Sequence, residues 1–304
     1  MQLNISNKEK LSPALEYLMT RLPDKMRNGI FNALIEKNYV INEIRIRRCS
    51  YISLIASSVD VKTDIYVNES EIDDLVNCLC QGSIYAHATT INQGYINVGK
   101  GIRAGISGRA ICENGRLEGI CDIYSINIRI PNTIKNASFY LHNLLKDNSF
   151  KCSVIIYAPP GVGKTTILRD LITKLSREKQ IIRFSVIDTR EELTSFITDE
   201  ITGDIFLSFP KGKGIELSTR AMTPQLIICD EIVSKDDAMA VLNATHSGVK
   251  LIATTHASSF DELSKKEALK ELLKSGAFDY ALGVNRAYGE SNYTFTLDSL
   301  SQSK

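Results

Sequence analysis

Apolar positions along the chain fall into two textures, and the change comes near residue 131. Before it, Ile44-Arg45-Ile46-Arg47 alternates apolar and charged, and the stretches from Asp64 to Val67 and from Tyr95 to Val98 do the same. A period of two predicts half-buried strands. Helical spacing appears at about 12–36 and 71–80. Between 99 and 130, Gly99, Gly101, Gly105, Gly108, Gly115 and Gly119 punctuate short segments such as Ile126-Asn127-Ile128-Arg129-Ile130. That texture predicts an antiparallel meander of hairpins. Pro131 ends the region, Ala137 to Leu145 reads as one helix, and Asp147-Asn148-Ser149 reads as a short linker.

After residue 150 the apolar positions gather into runs. Val154–Tyr157, Ile181–Ile187, Leu226–Cys229 and Val249–Thr254 have the unbroken hydrophobicity of strands buried on both faces. Helical patterns at 165–177, 236–246 and 259–274 separate several of them. Buried strands alternating with helices predict an α/β sandwich on a mainly parallel sheet, with its ligand at the carboxyl ends of the strands. We therefore expect two domains: residues 1–145 as a smaller α+β unit, and residues 146–304 as an α/β domain.

Composition narrows the picture modestly. The chain has 304 residues, 43% hydrophobic and 23% charged, which suits a globular protein with a substantial core. A net charge of +1 gives no global pull toward nucleic acid or membrane. The first residues are polar and mixed in charge, without an apolar signal core, and no stretch approaches the ~18 apolar residues of a spanning helix. These features lead us to expect a cytoplasmic or membrane-peripheral protein. Seven cysteines without a C-x-x-C pair read as reduced packing residues.

The candidate chemistry lies where a predicted strand meets a predicted helix. Val154 to Tyr157 leads into Ala158-Pro159-Pro160-Gly161-Val162-Gly163-Lys164-Thr165-Thr166. Glycines at 161 and 163 let backbone N–H groups turn inward onto phosphates, and the helix that follows adds about half a positive charge. In this reading Lys164 reaches the β- and γ-phosphates of ATP, and the Thr165 hydroxyl ligates Mg²⁺. The first glycine of the G-x-x-x-x-G-K-[ST] pattern is Ala158 here, a position that closes the strand and does not touch phosphate.

A second strand, Leu226-Ile227-Ile228-Cys229, ends in Asp230-Glu231. Asp230 is expected to hold Mg²⁺ through its water shell, and Glu231 to polarise the attacking water. A glutamate directly after the aspartate favours hydrolysis over a passive nucleotide switch. Asp188, in Val186-Ile187-Asp188-Thr189-Arg190-Glu191-Glu192, and His256, in Thr254-Thr255-His256, close two further strands. His256 reads either as a sensor of the nucleotide or as a packed structural histidine.

The order of these elements resembles the secretion and pilus-type traffic ATPases of the RecA-like superfamily. Their pattern runs phosphate loop, acidic box, Walker B and histidine box. Asp188 with Glu191 matches the acidic box, and Thr245 to Gly248 through Thr255-His256-Ala257 the histidine box. A closer resemblance spans nearly the whole chain. Glu43 to Arg47, Ser83-Ile84-Tyr85-Ala86, Gly94 to Val98, Gly101 to Gly108, Ile126 to Arg129 and Arg220 to Gln225 are together similar to the stage III sporulation protein AA family. Departures are Lys100, Thr189 and Val233, where that family commonly has Gly, Glu and Gly. The resemblance implies an ATPase powering a secretion-like channel between mother cell and forespore. It also implies a homo-oligomeric ring, hexameric, in the mother-cell cytoplasm, docked on membrane-embedded components at the inner membrane face.

An arginine supplied from elsewhere can stabilise charge on a γ-phosphate in transfer. Arg129 is the first candidate, Arg103 the second and Arg109 a third, all within the Gly-rich meander; each also reads as a solvated strand residue. Arg220 has the spacing to pair with Asp188 or Glu191. The rival function is a RecA-like nucleic-acid motor, for which Lys211, Lys213 and Lys265-Lys266 are too scattered to form a basic path, so no nucleic acid is expected. A non-hydrolysing nucleotide-gated scaffold and a small-molecule kinase are the remaining alternatives.

Overall fold

The computed structural model of the chain describes residues 12–37, 41–56, 59–113, 115–131, 134, 136–194, 201–286 and 293–300. They form two compact units, residues 1–132 and 133–304.

The first unit opens with α1 (Pro13–Met19) and α2 (Asp24–Lys37). The sequence pattern suggests one helix over 12–36. Pro23 splits it, because proline lacks the N–H for an i→i−4 bond and its ring crowds the carbonyl of Met19. Ser12 caps α1, accepting from the Leu15 N–H. Next come β1 (Ile41–Arg47), β2 (Ser50–Ala56), β3 (Asp60–Val67), α3 (Glu69–Leu79), the short α4 (Ala88–Ile91), β4 (Tyr95–Gly99), β5 (Ile102–Glu113) and β6 (Arg116–Arg129). An Asn68/Glu71 capping box starts α3. The strands make one antiparallel sheet in the order β3-β2-β1-β6-β5-β4, so the Gly-rich region is the expected meander and β6 returns to pair with β1.

Register decides what that sheet presents. Ile44, Ile128, Ala104 and Ile96 lie opposite one another across four strands and are fully buried. One residue along, Glu43, Arg129, Arg103 and Asn97 form the matching row on the other face.

The second unit begins with α5 (Phe139–Asp147). A boundary at 145/146 would leave this helix with the first unit, but Leu141 and Leu145 bury in the second unit's core. Asp170, from the next helix, accepts from the Asn136 and Ser138 N–H groups and from the Ser138 hydroxyl at the start of α5. The remaining elements are β7 (Val154–Ala158), α6 (Lys164–Ser176), β8 (Phe184–Asp188), β9 (Asp204–Leu207), α7 (Lys211–Ala221) and β10 (Leu226–Glu231). They continue with α8 (Lys235–His246), β11 (Lys250–His256), α9 (Phe260–Lys265), α10 (Glu267–Lys274), β12 (Tyr280–Asn285) and β13 (Thr294–Ser299).

The sheet order is β13-β12-β7-β11-β10-β8-β9, parallel throughout except for the antiparallel edge strand β13. Alternate residues of β7 serve two cores. Val154, Ile156 and Ala158 pack with Leu168 and Leu171 of α6, whereas Ile155 and Tyr157 pack with Ile215, Val241 and Leu269 from α7, α8 and α10. The strand expected at 181–187 starts only at Phe184, since Ile181 is 88% exposed on the connection before it. The helix expected over 259–274 breaks at Lys266, whose backbone is extended.

Candidate active site

Parallel pairing brings the carboxyl ends of four strands level. Ala158 lies opposite His256, Glu231 opposite Thr254, and Cys229 opposite Ile187, one residue before Asp188. The phosphate-type loop 159–163 leaves β7 at this edge and enters α6 directly. Gly161 and Gly163 have φ of 79° and 119°, values open to glycine but costly for other residues. No side chain caps α6 and its first turn holds no acid, so its leading N–H groups are unclaimed by a capping side chain. Around this loop Pro160 and Gly161 are exposed, while Pro159, Val162, Thr165 and Thr166 are half-buried.

Lys164 is buried. Its ammonium donates to the Ala158 carbonyl at 2.7 Å and the Pro159 carbonyl at 3.2 Å, and lies 2.8 Å from His256 Nδ1. Burial pulls its pKa down to about 8, with the Glu231 carboxylate opposing the shift. On the far side of the imidazole, His256 Nε2 stands 3.2 Å from Glu231 Oε2. Three residues separated by 92 positions in sequence are thus threaded through one histidine ring. Asp230, alongside, forms an ion pair with Lys211 Nζ at 2.6 Å, and Lys211 also donates to the Glu231 carbonyl. Burial raises the Asp230 pKa and the Lys211 charge opposes that rise.

Asp188, the acidic-box residue expected from the resemblance to bear on the nucleotide, is engaged by the turn that follows it. Its Oδ1 accepts from the Glu192 N–H, and its Oδ2 from the Leu193 and Thr194 N–H groups and the Thr194 hydroxyl, at 2.8–2.9 Å. A fully buried carboxylate with both oxygens engaged this way shapes the turn after β8. Arg169 of α6, also buried, donates to the Glu192 carbonyl and closes the same turn from the other side. Arg220 pairs with Glu216, one helical turn back at 3.2 Å, and not with Asp188 or Glu191; Glu191 accepts from the Ser208 hydroxyl instead.

Arg103 and Arg129 belong to the first unit, as cross-strand neighbours. Arg129 is exposed, with its Nε 3.7 Å from Glu43 Oε1, and the Arg103 guanidinium lies over the Tyr95 ring. Arg109 pairs with Asp122 at 2.8 Å.

Two residues at this edge escape sequence reasoning. Lys211 carries no motif beyond following Pro210, and its burial depends on the turn that brings α7 under β10. Tyr293 comes from just before β13, and its phenol oxygen lies where a Cβ on Gly163 would stand. The hairpin that carries it has no periodicity strong enough to foresee.

The site tests well for a triphosphate with Mg²⁺. Asp230 Oδ1 is shielded from solvent and compensated by Lys211 Nζ 2.6 Å away, so a positive charge already sits where a cation would bind. Among the described residues no group of three His, Cys, Asp or Glu is placed to hold a metal by itself. A hard cation held by one carboxylate, one hydroxyl and phosphate oxygens suits that donor set.

Residues 16–293 match the family described as sporulation stage III, protein AA. Over 277 residues, 88% of this chain and 90% of the relative, the sequence is 32% identical to stage III sporulation protein AA of Bacillus subtilis (strain 168). It is 24% identical to protein SEEDLING PLASTID DEVELOPMENT 1 of Arabidopsis thaliana, over 54% of this chain and 24% of that protein. Among solved structures, the pilus retraction motor PilT with bound ADP superposes with a TM-score of 0.62 at 12% identity, covering 90% of this chain and 83% of its own. The ATPase DotB of Legionella pneumophila gives 0.57 at 16% identity, covering 87% and 76%. At such identities the likeness establishes the fold: a RecA-like α/β unit on a mainly parallel sheet, preceded by an α+β unit.

Proposed function

The chain belongs to the stage III sporulation protein AA family, and on that premise we propose that it is a Mg²⁺-dependent ATPase, the motor of a secretion-type assembly. The observation that carries the proposal is the convergence of Lys164, His256, Glu231 and Asp230 at one sheet edge, beside an uncapped helix N-terminus.

The loop N–H groups and Lys164 bind the phosphates. Within the chain Lys164 faces two neutral carbonyls and an imidazole nitrogen, so an anionic phosphate is the stronger partner. Thr165 and Asp230 would hold Mg²⁺, whose chemistry there would be to offset negative charge on the phosphate oxygens. Glu231 takes the proton of the attacking water on its carboxylate. His256, between Glu231 and Lys164, orients the carboxylate and links it to the ammonium that senses the phosphate.

Work on a channel requires that turnover move something larger than the site. We place the chain in a ring of six identical copies in the mother-cell cytoplasm, docked on membrane-embedded channel components. No helix among the described residues is long and apolar enough to cross a membrane. ATP turnover and particle mass, measured together with and without nucleotide, test the proposal. Turnover that rises with assembly supports it. Turnover that needs DNA would favour the nucleic-acid motor instead.

A further inference from the structure

Lys211 is placed where an ordinary lysine is disfavoured. It is the first residue of α7, whose amino terminus carries partial positive charge, and it is only 9% exposed. Helix α8, by contrast, starts with Asp236 and Asp237 in its first turn. A buried ammonium against the positive end of a helix needs strong compensation, and the compensation here comes from the acid pair. Lys211 Nζ lies 2.6 Å from Asp230 Oδ1 and donates to the Glu231 backbone carbonyl. The carboxylate it neutralises is the one that the proposed function assigns to the metal.

We propose that Lys211 is the resident counter-cation of the Asp230-Glu231 edge, and that a divalent cation binds there only by taking Asp230 Oδ1 from it. The inference rests on the ATPase reading for the identity of the metal site, and on the ion pair for everything else. An ammonium and a divalent cation on one shielded oxygen repel each other, so Lys211 must withdraw when the metal arrives. The exchange serves two ends. It keeps Asp230 compensated between cycles, since an unpaired buried carboxylate is costly. It also makes metal entry conditional on the nucleotide, whose anionic phosphates help hold the cation that displaces Lys211. Because Lys211 also holds the Glu231 carbonyl, its departure loosens the backbone that bears the proposed base, which makes it a positioning residue.

Mn²⁺ binding to the full chain, followed by electron paramagnetic resonance with and without ADP, tests the inference without reading turnover. Lys211→Gln keeps donors for Asp230 and the Glu231 carbonyl while removing the charge. It is expected to bind Mn²⁺ at least about tenfold more tightly than the unaltered chain, the scale for deleting a unit charge a few ångströms away in a partly buried site. Adding Asp230→Asn must abolish that gain, and Lys211→Arg must stay within about threefold of the unaltered chain. Mn²⁺ affinity of Lys211→Gln that is equal to or weaker than the unaltered chain overturns the inference, as does a gain that survives Asp230→Asn. A chain that binds no ADP refutes the ATPase reading alone, because the nucleotide-free titration still reports whether Lys211 opposes a cation at Asp230.

Discussion

Lys164 holds its charge at a cost that its neighbours in the chain do not fully offset. Its pKa stands at about 8 in the folded state against 10.5 as the ordinary value. Between those values the unfolded chain binds more protons, so this residue makes stability rise with pH across about pH 8 to 10.5; below that window the penalty is present in full. Lys164→Met should therefore stabilise the nucleotide-free protein at pH 7 by on the order of 1–3 kcal/mol, with the gap closing toward pH 10.5. Affinity for ATP should fall by about two orders of magnitude through loss of the charged contact. Denaturant unfolding at both pH values checks the first expectation, and a variant less stable than the parent at pH 7 would contradict it.

Among elements, the β7–loop–α6 passage ties geometry to binding most tightly. Gly163 combines a φ of 119° with a backbone on which a Cβ would strike the Tyr293 hydroxyl. Gly163→Ala should cost about 1–3 kcal/mol in stability and weaken nucleotide binding. Tyr293→Ala in the same chain should recover the part due to collision and leave the part due to φ. A double-mutant cycle in thermal unfolding separates the two, and strictly additive effects would count against the contact. This passage was legible in the sequence because strand, glycines, Lys164 and helix are contiguous. The acid pair was legible too, since four apolar residues deliver Asp230 and Glu231 to a strand end. What stayed hidden were long-range partners: Lys211 beneath Asp230, the Tyr293 hairpin against the loop, and the backbone donors that claim Asp188. None follows from local periodicity. Strand β9 is too short, at four residues, for a period to show, and helix α7 has few apolar residues. Glycines at 212 and 214 also weaken the α7 pattern.

For the molecule as a whole, two cores in one chain predict a simple pattern of thiol reactivity. Cys80, Cys152 and Cys229 are buried, with burial pushing Cys152 up to about 11 and Cys229 up to about 12. Alkylation of the native protein near pH 8 should label Cys49, Cys78, Cys112 and Cys121 and spare those three; rapid labelling of Cys229 would mean the second core is open. For the proposed ring we infer that Arg129 serves a phosphate in transfer. Its exposure and loose contact with Glu43 leave it free to find a better anion. Arg129→Ala should then lower turnover at least about tenfold while leaving ATP affinity nearly unchanged. Equal loss of both, measured by phosphate release and equilibrium binding, would argue that it only maintains the first unit.

In the proposed ATPase, hydrolysis rests on Glu231 working as a base beside a triphosphate held by Lys164. Phosphate release from MgATP by the assembled chain, compared directly with its Glu231→Gln variant, tests it. We predict measurable release by the parent and a loss of about two orders of magnitude or more in the variant, which still binds ATP. No release by the parent, or equal release by both, would contradict it.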